Sequence, residues 1–566
     1  MKLCIDGMCI TPKPGQSILD LIRILDLDNT QLSKRPLAAQ IAGEVFNLNY
    51  IPVRGTDVHT ERVSIRRAMA ASEGVIRLLR YCDPAGKDVY LRTAQFVMFL
   101  AMRLEYPNAK AKMQCTVGSA LFVEVSGVEN FSVARLKERV QALVAEDALL
   151  TRKRVPIAEA IAAFRIKGDT DKAQLLSWRN ETYFDQYTYG DFFDYYYGEL
   201  APSIGYLSVW DILETKDGFL FVYPDELEPD KIAAYTPMPN FVSVNVQGKR
   251  WCELMECETV ADLNALVQSG RIRELIRVNE ALHEKQYAQV AEQICERGAR
   301  VVMLAGPSSS GKTTSANRLA TQLRVHGKKP IIMSLDDYYI DREKIPFGPD
   351  GKRDFEHINT IDTHLFRKHI QSLLGGERVQ IPTFDFLTGK RCWKEHYLQL
   401  YPETVIIVEG LHALNPAMLP DELDKNLIFR FYISPLLPLN LDNHNRIPSS
   451  LLRLLRRTVR DYETRGSSVE NTMAMWDSVR RGDKLWIIPY QETADEIFNS
   501  STIYELAVLK KHIYPLLTAV TPEQSCYEQV RALVKILNYV LQADVDDEIP
   551  PTSLVREFIG GNSFYR

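Results

Sequence analysis

The chain has 566 residues, 46% of them hydrophobic and 25% charged, with a formal net charge of −5. That balance predicts a globular protein of several domains and excludes a global basic field for nucleic acid or anionic membrane. The most apolar run, Phe96 to Met102, is flanked by Arg92 and Arg103 and falls well short of the roughly 18 residues a membrane span needs. Nine cysteines are scattered with no C-x-x-C spacing. This predicts neither a disulfide framework nor a structural zinc site, and fits a reducing cytoplasm. Cys4 with Cys9 and Cys252 with Cys257 are the close pairs, read as ordinary thiols.

Residues 1–62 read as a small β-rich unit. Lys2 to Ile5 alternates, Asp6-Gly7 is a hairpin turn, and Met8 to Thr11 resumes the strand pattern. Ser17 is placed to cap a helix carrying Ile18, Leu19, Leu21, Ile22 and Leu25. Short strands around 38–48 complete a pattern that suggests a β-grasp fold. Residues 63–225 form a mixed region: a buried helix over Leu91–Leu104, a strand over Ala120–Val125, a helix over Val133–Asp147, and a Tyr- and Phe-dense stretch from Tyr183 to Tyr206 assigned to core. Pro224, Pro229, Pro237 and Pro239 mark 226–296 as a linker followed by a long helix over 276–296. In 297–520, apolar runs at 301–305, 330–335, 405–408 and 427–433 alternate with helical stretches, implying a parallel sheet of βα units. Residues 521–566 hold one amphipathic helix, a Pro-Pro break at 550–551 and a tail.

The chemistry concentrates in 297–520. Gly306-Pro307-Ser308-Ser309-Ser310-Gly311-Lys312-Thr313-Thr314 follows an apolar strand and opens a helix, the context of a phosphate-binding P-loop. Backbone N–H groups of such a loop face one centre, with a helix N-terminus behind them. Lys312 would reach the β/γ-phosphates and the Thr313 hydroxyl would hold Mg²⁺. The next strand ends in Asp336-Asp337-Tyr338-Tyr339. Asp336 there can accept a hydroxyl proton during phosphoryl transfer or, alternatively, cap a helix. Val405 to Val408 is a buried run ending in Glu409, which can orient Mg²⁺ in the manner of a Walker B carboxylate. Arg453, Arg456, Arg457 and Arg460 fall on one helical face, with Arg446 and Arg465 nearby. They read either as a lid over transferring phosphates or as a solvated face paired to Asp461 and Glu463. Glu356 and Phe384 stand in two further segments that offer carboxylates and aromatics to a polyhydroxylated acceptor.

Together these residues resemble the uridine kinase and phosphoribulokinase family of P-loop kinases, over about 220 residues. The resemblance implies an α/β fold with a P-loop NTPase parallel sheet, ATP and Mg²⁺ as cofactors, and transfer of a phosphoryl group to an alcohol. It puts the catalytic base on Asp336, with Lys312, Arg456 and Arg460 acting on the transferred group. Gly306, Ser308, Ser309, Ser310, Gly311, Lys312, Thr313 and Thr314 would bind ATP, and Thr313 and Glu409 the metal. Glu356, Phe384 and Arg453 would join Asp336 around the acceptor. Two positions depart from the family: Gly389 stands where uridine kinases carry a base-contacting His, and Ser467 where the lid carries a second Arg of an Arg-Gly-Arg motif.

The preceding regions are similar to those of threonyl-tRNA synthetase: residues 1–62 to its β-grasp TGS domain and 63–225 to its α+β editing domain. The editing metal ligands are absent, because Arg92 to Phe96 replaces the His pair and Tyr196 and Leu200 replace the later Cys and His. The expectation is therefore a cytoplasmic, homo-oligomeric kinase acting on a nucleoside or ribose-like small molecule. Two alternatives stand beside it: an RNA- or ribosome-associated regulator that contacts RNA through the N-terminal modules, and a sugar or sugar-phosphate kinase.

Overall fold

The computed structural model describes residues 2–52, 68–179, 181–348, 351, 353–420 and 423–564. The chain packs as two compact units, residues 1–237 with 440–446, and residues 238–439 with 447–566. The expected boundary at 62/63 lies outside the described residues. No described helix is long and apolar enough to cross a membrane.

In the first unit, Leu3–Ile5 and Met8–Ile10 form the expected hairpin, with Asp6 and Gly7 both at positive φ (44° and 87°) in the turn. Ser17 caps the helix Ile18–Ile24: its hydroxyl accepts from the Asp20 N–H at 3.1 Å, and Asp20 accepts from the Ser17 N–H at 2.8 Å. Val75–Leu79, well past residue 62, completes this five-stranded sheet between Leu3–Ile5 and Ala38–Ile41. The hairpin register sets Cys4 opposite Cys9, and the two are disulfide-bonded. This corrects the expectation of free thiols: a five-residue spacing that looks unremarkable in sequence becomes a face-to-face pair once the turn is two residues long.

The helix Pro84–Glu105 runs through the rest of this unit's core, beside an antiparallel four-stranded sheet (110–117, 120–126, 211–215, 218–222) and a three-stranded one (151–156, 183–189, 192–194). The Tyr/Phe-dense stretch is core in part: Phe184, Tyr187, Tyr195 and Tyr206 are buried, whereas Tyr183 is 55% exposed. The positions without metal ligands are filled by packing. Phe96 meets Tyr196 ring to ring at 6.4 Å, Leu200 is buried, and Arg92 donates to the Glu199 carbonyl at 3.0 Å. Lys172 and Asp194 form a fully buried ion pair at 2.6 Å, with His444 Nδ1 2.7 Å from the ammonium. Burial alone would raise the Asp194 carboxyl, but Lys172 and His444 hold it well below the usual carboxylate range.

The second unit is built on a five-stranded parallel sheet. Its strands are β1 (Val301–Ala305), β2 (Lys329–Ser334), β5 (Thr404–Glu409), β6 (Ile428–Ser434) and β7 (Glu496–Asn499), in the spatial order β2-β5-β1-β6-β7. An antiparallel hairpin, β3 (Val379–Asp385) and β4 (Lys390–Leu398), stands apart from it. The central strand β1 is buried along its whole length, which is why it reads as an unbroken apolar run. The register sets Leu304 against Glu409 and Ser334 against Glu409, so the last residues of β2 and β5 meet beside the end of β1. The expected linker contains two helices, α1 (Pro239–Leu254) and α2 (Val260–Gln268), before the predicted long helix α3 (Ile272–Arg297). Pro239 sits in the first turn of α1, where a missing N–H costs nothing. The remaining helices are α4 (Lys312–Val325), α5 (Thr363–Leu374), α6 (Ser449–Arg465), α7 (Val469–Gly482), α8 (Glu505–Thr518), α9 (Tyr527–Leu537) and the single turn α10 (Arg556–Ile559).

Replacing Lys172 by Met leaves Asp194 as a buried carboxylate without its main counter-charge. The variant is expected to lose about 3–5 kcal/mol of the first unit's stability. Urea denaturation of the full chain reads this, and an unchanged first transition would refute the pair's structural role.

Candidate active site

The loop between β1 and α4 takes its shape from two glycines. A Cβ on Gly306 would lie 2.1 Å from the Ile433 carbonyl oxygen, so only glycine lets the chain leave β1 past β6. Gly311 has φ +86° and Ser309 φ +60°, the left-handed conformations that turn successive N–H groups inward. The hydroxyls of Ser309 and Ser310 are buried with no hydrogen-bond partner in the protein. Unpartnered donors around a helix N-terminus form a site for an anion such as phosphate. Lys312 curls back to donate to the Pro307 carbonyl at 3.2 Å.

The arginine face of α6 backs this loop. Arg453 donates to the Ser308 carbonyl (2.8 Å), Arg457 to the Ser308 hydroxyl (2.9 Å) and Arg456 to the Ser309 carbonyl (3.3 Å). Arg456, expected at the transferring phosphate, is instead fully buried, paired with Glu505 at 2.6 Å and bonded to the Ser500 carbonyl at 2.7 Å. It supports the loop from behind. Asp461 gathers Arg457, Arg460 and Arg465 at 3.2, 3.1 and 3.4 Å. Ser467, where the second lid arginine was missed, donates its N–H to the Asp461 carbonyl and helps end the helix. The face is thus partly paired within the protein, with Arg460 and Arg465 at its outer end.

Asp336 lies in a 3₁₀ turn just after β2. The cap of that turn is Ser334, whose hydroxyl accepts the Asp336 N–H at 3.3 Å, so the carboxylate of Asp336 is not used as a cap. Tyr339 hydrogen-bonds it. Asp337 plays a different part: its carboxylate accepts the Phe384 N–H at 3.2 Å and pins β3. Glu409, at the end of β5, accepts from the hydroxyls of Thr313 and Ser334, each at 3.4 Å. Burial raises the Asp336 carboxyl despite the neighbouring Lys312 ammonium. Burial, reinforced by the charge of Asp336, lifts Glu409 to about 7. Burial in turn lowers Lys312, against the pull of Glu409 and Asp336.

Glu356 and Phe384 were expected around the acceptor. Glu356 is partly buried, with one enclosed carboxylate oxygen unpartnered and its side chain against Gly482, where a Cβ would come within 2.2 Å of the Glu356 Cβ. Burial and the Asp483 carboxylate raise Glu356 to about 7. Asp483 pairs with Arg453 at 2.6 Å and was not found in the sequence, where nothing marks it from other acidic residues. His412, three residues past Glu409, was also missed; burial lowers its pKa to about 4, so it is neutral near pH 7. Phe384 and Tyr339 meet edge to face at 5.5 Å. Gly389 has φ +69° in the tight β3–β4 turn, with its carbonyl accepting from the Arg342 N–H at 2.8 Å. A side chain there would strike Arg342, so this turn has no room for a base-reading ring.

Among the described residues, no group of three or more His, Cys, Asp or Glu is placed to hold a metal alone. The Thr313 hydroxyl and Glu409 carboxylate do fit Mg²⁺, a hard cation that takes most of its ligands from phosphate and water. A strand–P-loop–helix unit, carboxylates on the adjacent strand ends and arginines behind the loop define a P-loop phosphotransferase site.

Comparison with known proteins agrees. Residues 301–507 match the phosphoribulokinase / uridine kinase family. Uridine kinases of Staphylococcus aureus strains JH9 and MW2 are each 27% identical over 213 residues, which is 38% of this chain and 93% of theirs. The solved structure described as a possible uridine kinase from Bacillus stearothermophilus is 18% identical, with a TM-score of 0.26, covering 38% of this chain and 98% of that one. The C-terminal region therefore carries a kinase domain of the phosphoribulokinase and uridine kinase family, and the homology supports a nucleoside or sugar kinase in the broad sense.

Glu409 gives the site a pH signature. Its folded pKa of about 7 exceeds its ordinary value of 4.5, so between these pH values the folded state holds a proton the unfolded chain has released. Stability supplied by this group is therefore lost as pH rises through that window. Glu409→Gln is expected to gain stability over the wild type at about pH 7.5 relative to about pH 5, read from urea midpoints at both values. Parallel pH profiles for the two proteins would count against a Glu409 carboxyl raised by folding.

Proposed function

We propose that the protein is an ATP- and Mg²⁺-dependent kinase that transfers the γ-phosphoryl group to a hydroxyl of a nucleoside or related ribose-like small molecule. The observation that carries this reading is the meeting of Asp336, Glu409 and Lys312 at one sheet edge beside the P-loop, each partly buried and within the others' field. The loop N–H groups, the Ser309 and Ser310 hydroxyls and Lys312 bind the nucleotide phosphates. Thr313 and Glu409 would hold Mg²⁺, which would supply positive charge beside the phosphates.

Asp336 takes the acceptor's hydroxyl proton as that oxygen bonds to phosphorus and the bond to the ADP leaving oxygen breaks. A carboxyl raised by burial is a better base than a solvated one, because its driving force for accepting a proton is larger. Lys312 and Arg460 stabilise charge on the transferred group, while Arg456 keeps the loop in shape. Glu356, with its free carboxylate oxygen, accepts hydrogen bonds from acceptor hydroxyls, and Phe384 and Tyr339 supply an apolar wall. Gly389 leaves the base unread at that position, so selection rests on the ribose-like part.

Asp336→Asn removes the proton acceptor while keeping size and hydrogen bonding. Turnover is expected to fall by about 10²–10⁴-fold with ATP binding retained. The measurement is ATP consumption against a panel of nucleosides, pentoses and polyols. Near-wild-type turnover of the Asn variant, or no stimulation by any acceptor, would defeat the reading.

A further inference from the structure

The end of the chain lies against the nucleotide loop. Leu554 packs so closely on Gly311 that a Cβ there would lie 2.6 Å from its side chain. Glu557, one residue into α10, accepts from the Thr314 hydroxyl at 2.7 Å and from the Thr314 N–H at 3.4 Å. Asn562 donates to the same hydroxyl at 3.1 Å. Thr314 is the third residue of α4, so its N–H is one of the unsatisfied donors of the helix start. A carboxylate on that N–H stands where the helix N-terminus would otherwise meet a phosphate.

The tail is anchored on one side and adjustable on the other. Leu554, Val555, Phe558 and Ile559 are buried, Phe558 lies under the Arg456 guanidinium at 4.8 Å, and Ser553 donates to Glu280 at 2.6 Å. Glu557 and Asn562 themselves are only partly buried, and Gly560 and Gly561 separate them at φ +83° and +75°. A polyanion entering the loop would meet the Glu557 carboxylate at hydrogen-bond range of Thr314. Like charges at that distance repel.

We infer that the C-terminal tail is an autoinhibitory strap, in which Glu557 holds the anion position at the start of α4 and must leave Thr314 before a nucleotide phosphate can bind there. The inference rests on the nucleotide-binding reading of the loop. Its consequence is a docked, nucleotide-free state in equilibrium with an open state, and apparent nucleotide affinity reduced by the open fraction.

The test is ADP binding with Mg²⁺ to the full chain, by calorimetry, for the wild type, Glu557→Gln and Asn562→Ala. Glu557→Gln keeps shape but removes charge, and is expected to bind ADP about tenfold more tightly, as for a strap docked about nine-tenths of the time. Asn562→Ala, at a partly exposed position, should shift affinity in the same direction by a smaller factor. Hydrogen exchange of residues 553–563 in the wild type should quicken on adding ADP. Unchanged affinity in both variants removes the strap and leaves the nucleotide site standing. Weaker binding by Glu557→Gln also overturns it and makes Glu557 part of the nucleotide-binding wall. Failure of all three proteins to bind ADP removes the strap together with the nucleotide reading.

Discussion

The second unit depends on a charge pair that never meets water. Arg456 and Glu505 are both fully buried, and the guanidinium also reaches the carbonyls of Ser309 and Ser500. One side chain thereby joins α6, the turn after β7, the start of α8 and the phosphate loop. Two ions taken out of water gain little net stability, because desolvation offsets their attraction. What the arrangement gains is position. The carbonyls of Ser308 and Ser309 are held by Arg453 and Arg456, which fixes the course of the loop.

Around that fixed loop, burial sets the chemistry. Asp336, Glu409 and Glu356 are carboxyls raised by loss of water, and Lys312 is an ammonium lowered by it. Each keeps a partial counter-charge, so none is isolated, yet none is fully satisfied. This is the condition of groups that await a charged ligand, and it differs from the first unit's Lys172–Asp194 pair, where the partners compensate each other.

The sequence disclosed those features whose physics is local or periodic. β1 and β5 were legible as unbroken apolar runs, and the phosphate loop as glycines between a strand and a helix. Ser17 was legible as a cap because its partner is three residues away. The spacing of Arg453, Arg456, Arg457 and Arg460 showed one helical face, but what each arginine meets depends on residues far along the chain. Glu505 is 49 positions from Arg456 and Ser308 is 145 from Arg453, distances at which no pattern is visible. β7 was missed because four residues are too few to carry a period. Prolines read as linker punctuation concealed α1, in which Pro239 occupies the first turn. The Cys4–Cys9 bond was missed although its hairpin was legible, and the docked tail is a tertiary fact with no sequence mark.

Asp461 has a consequence in charge counting. One carboxylate sits among Arg457, Arg460 and Arg465, so this end of α6 carries more positive charge than its own residues neutralise. With Glu463 counted beside Asp461, the three arginines leave one surplus positive charge, a field that favours anions at this end of the helix. Under the proposed function, a nucleotide would meet this field at the range of a screened charge, ahead of any hydrogen bond with the loop.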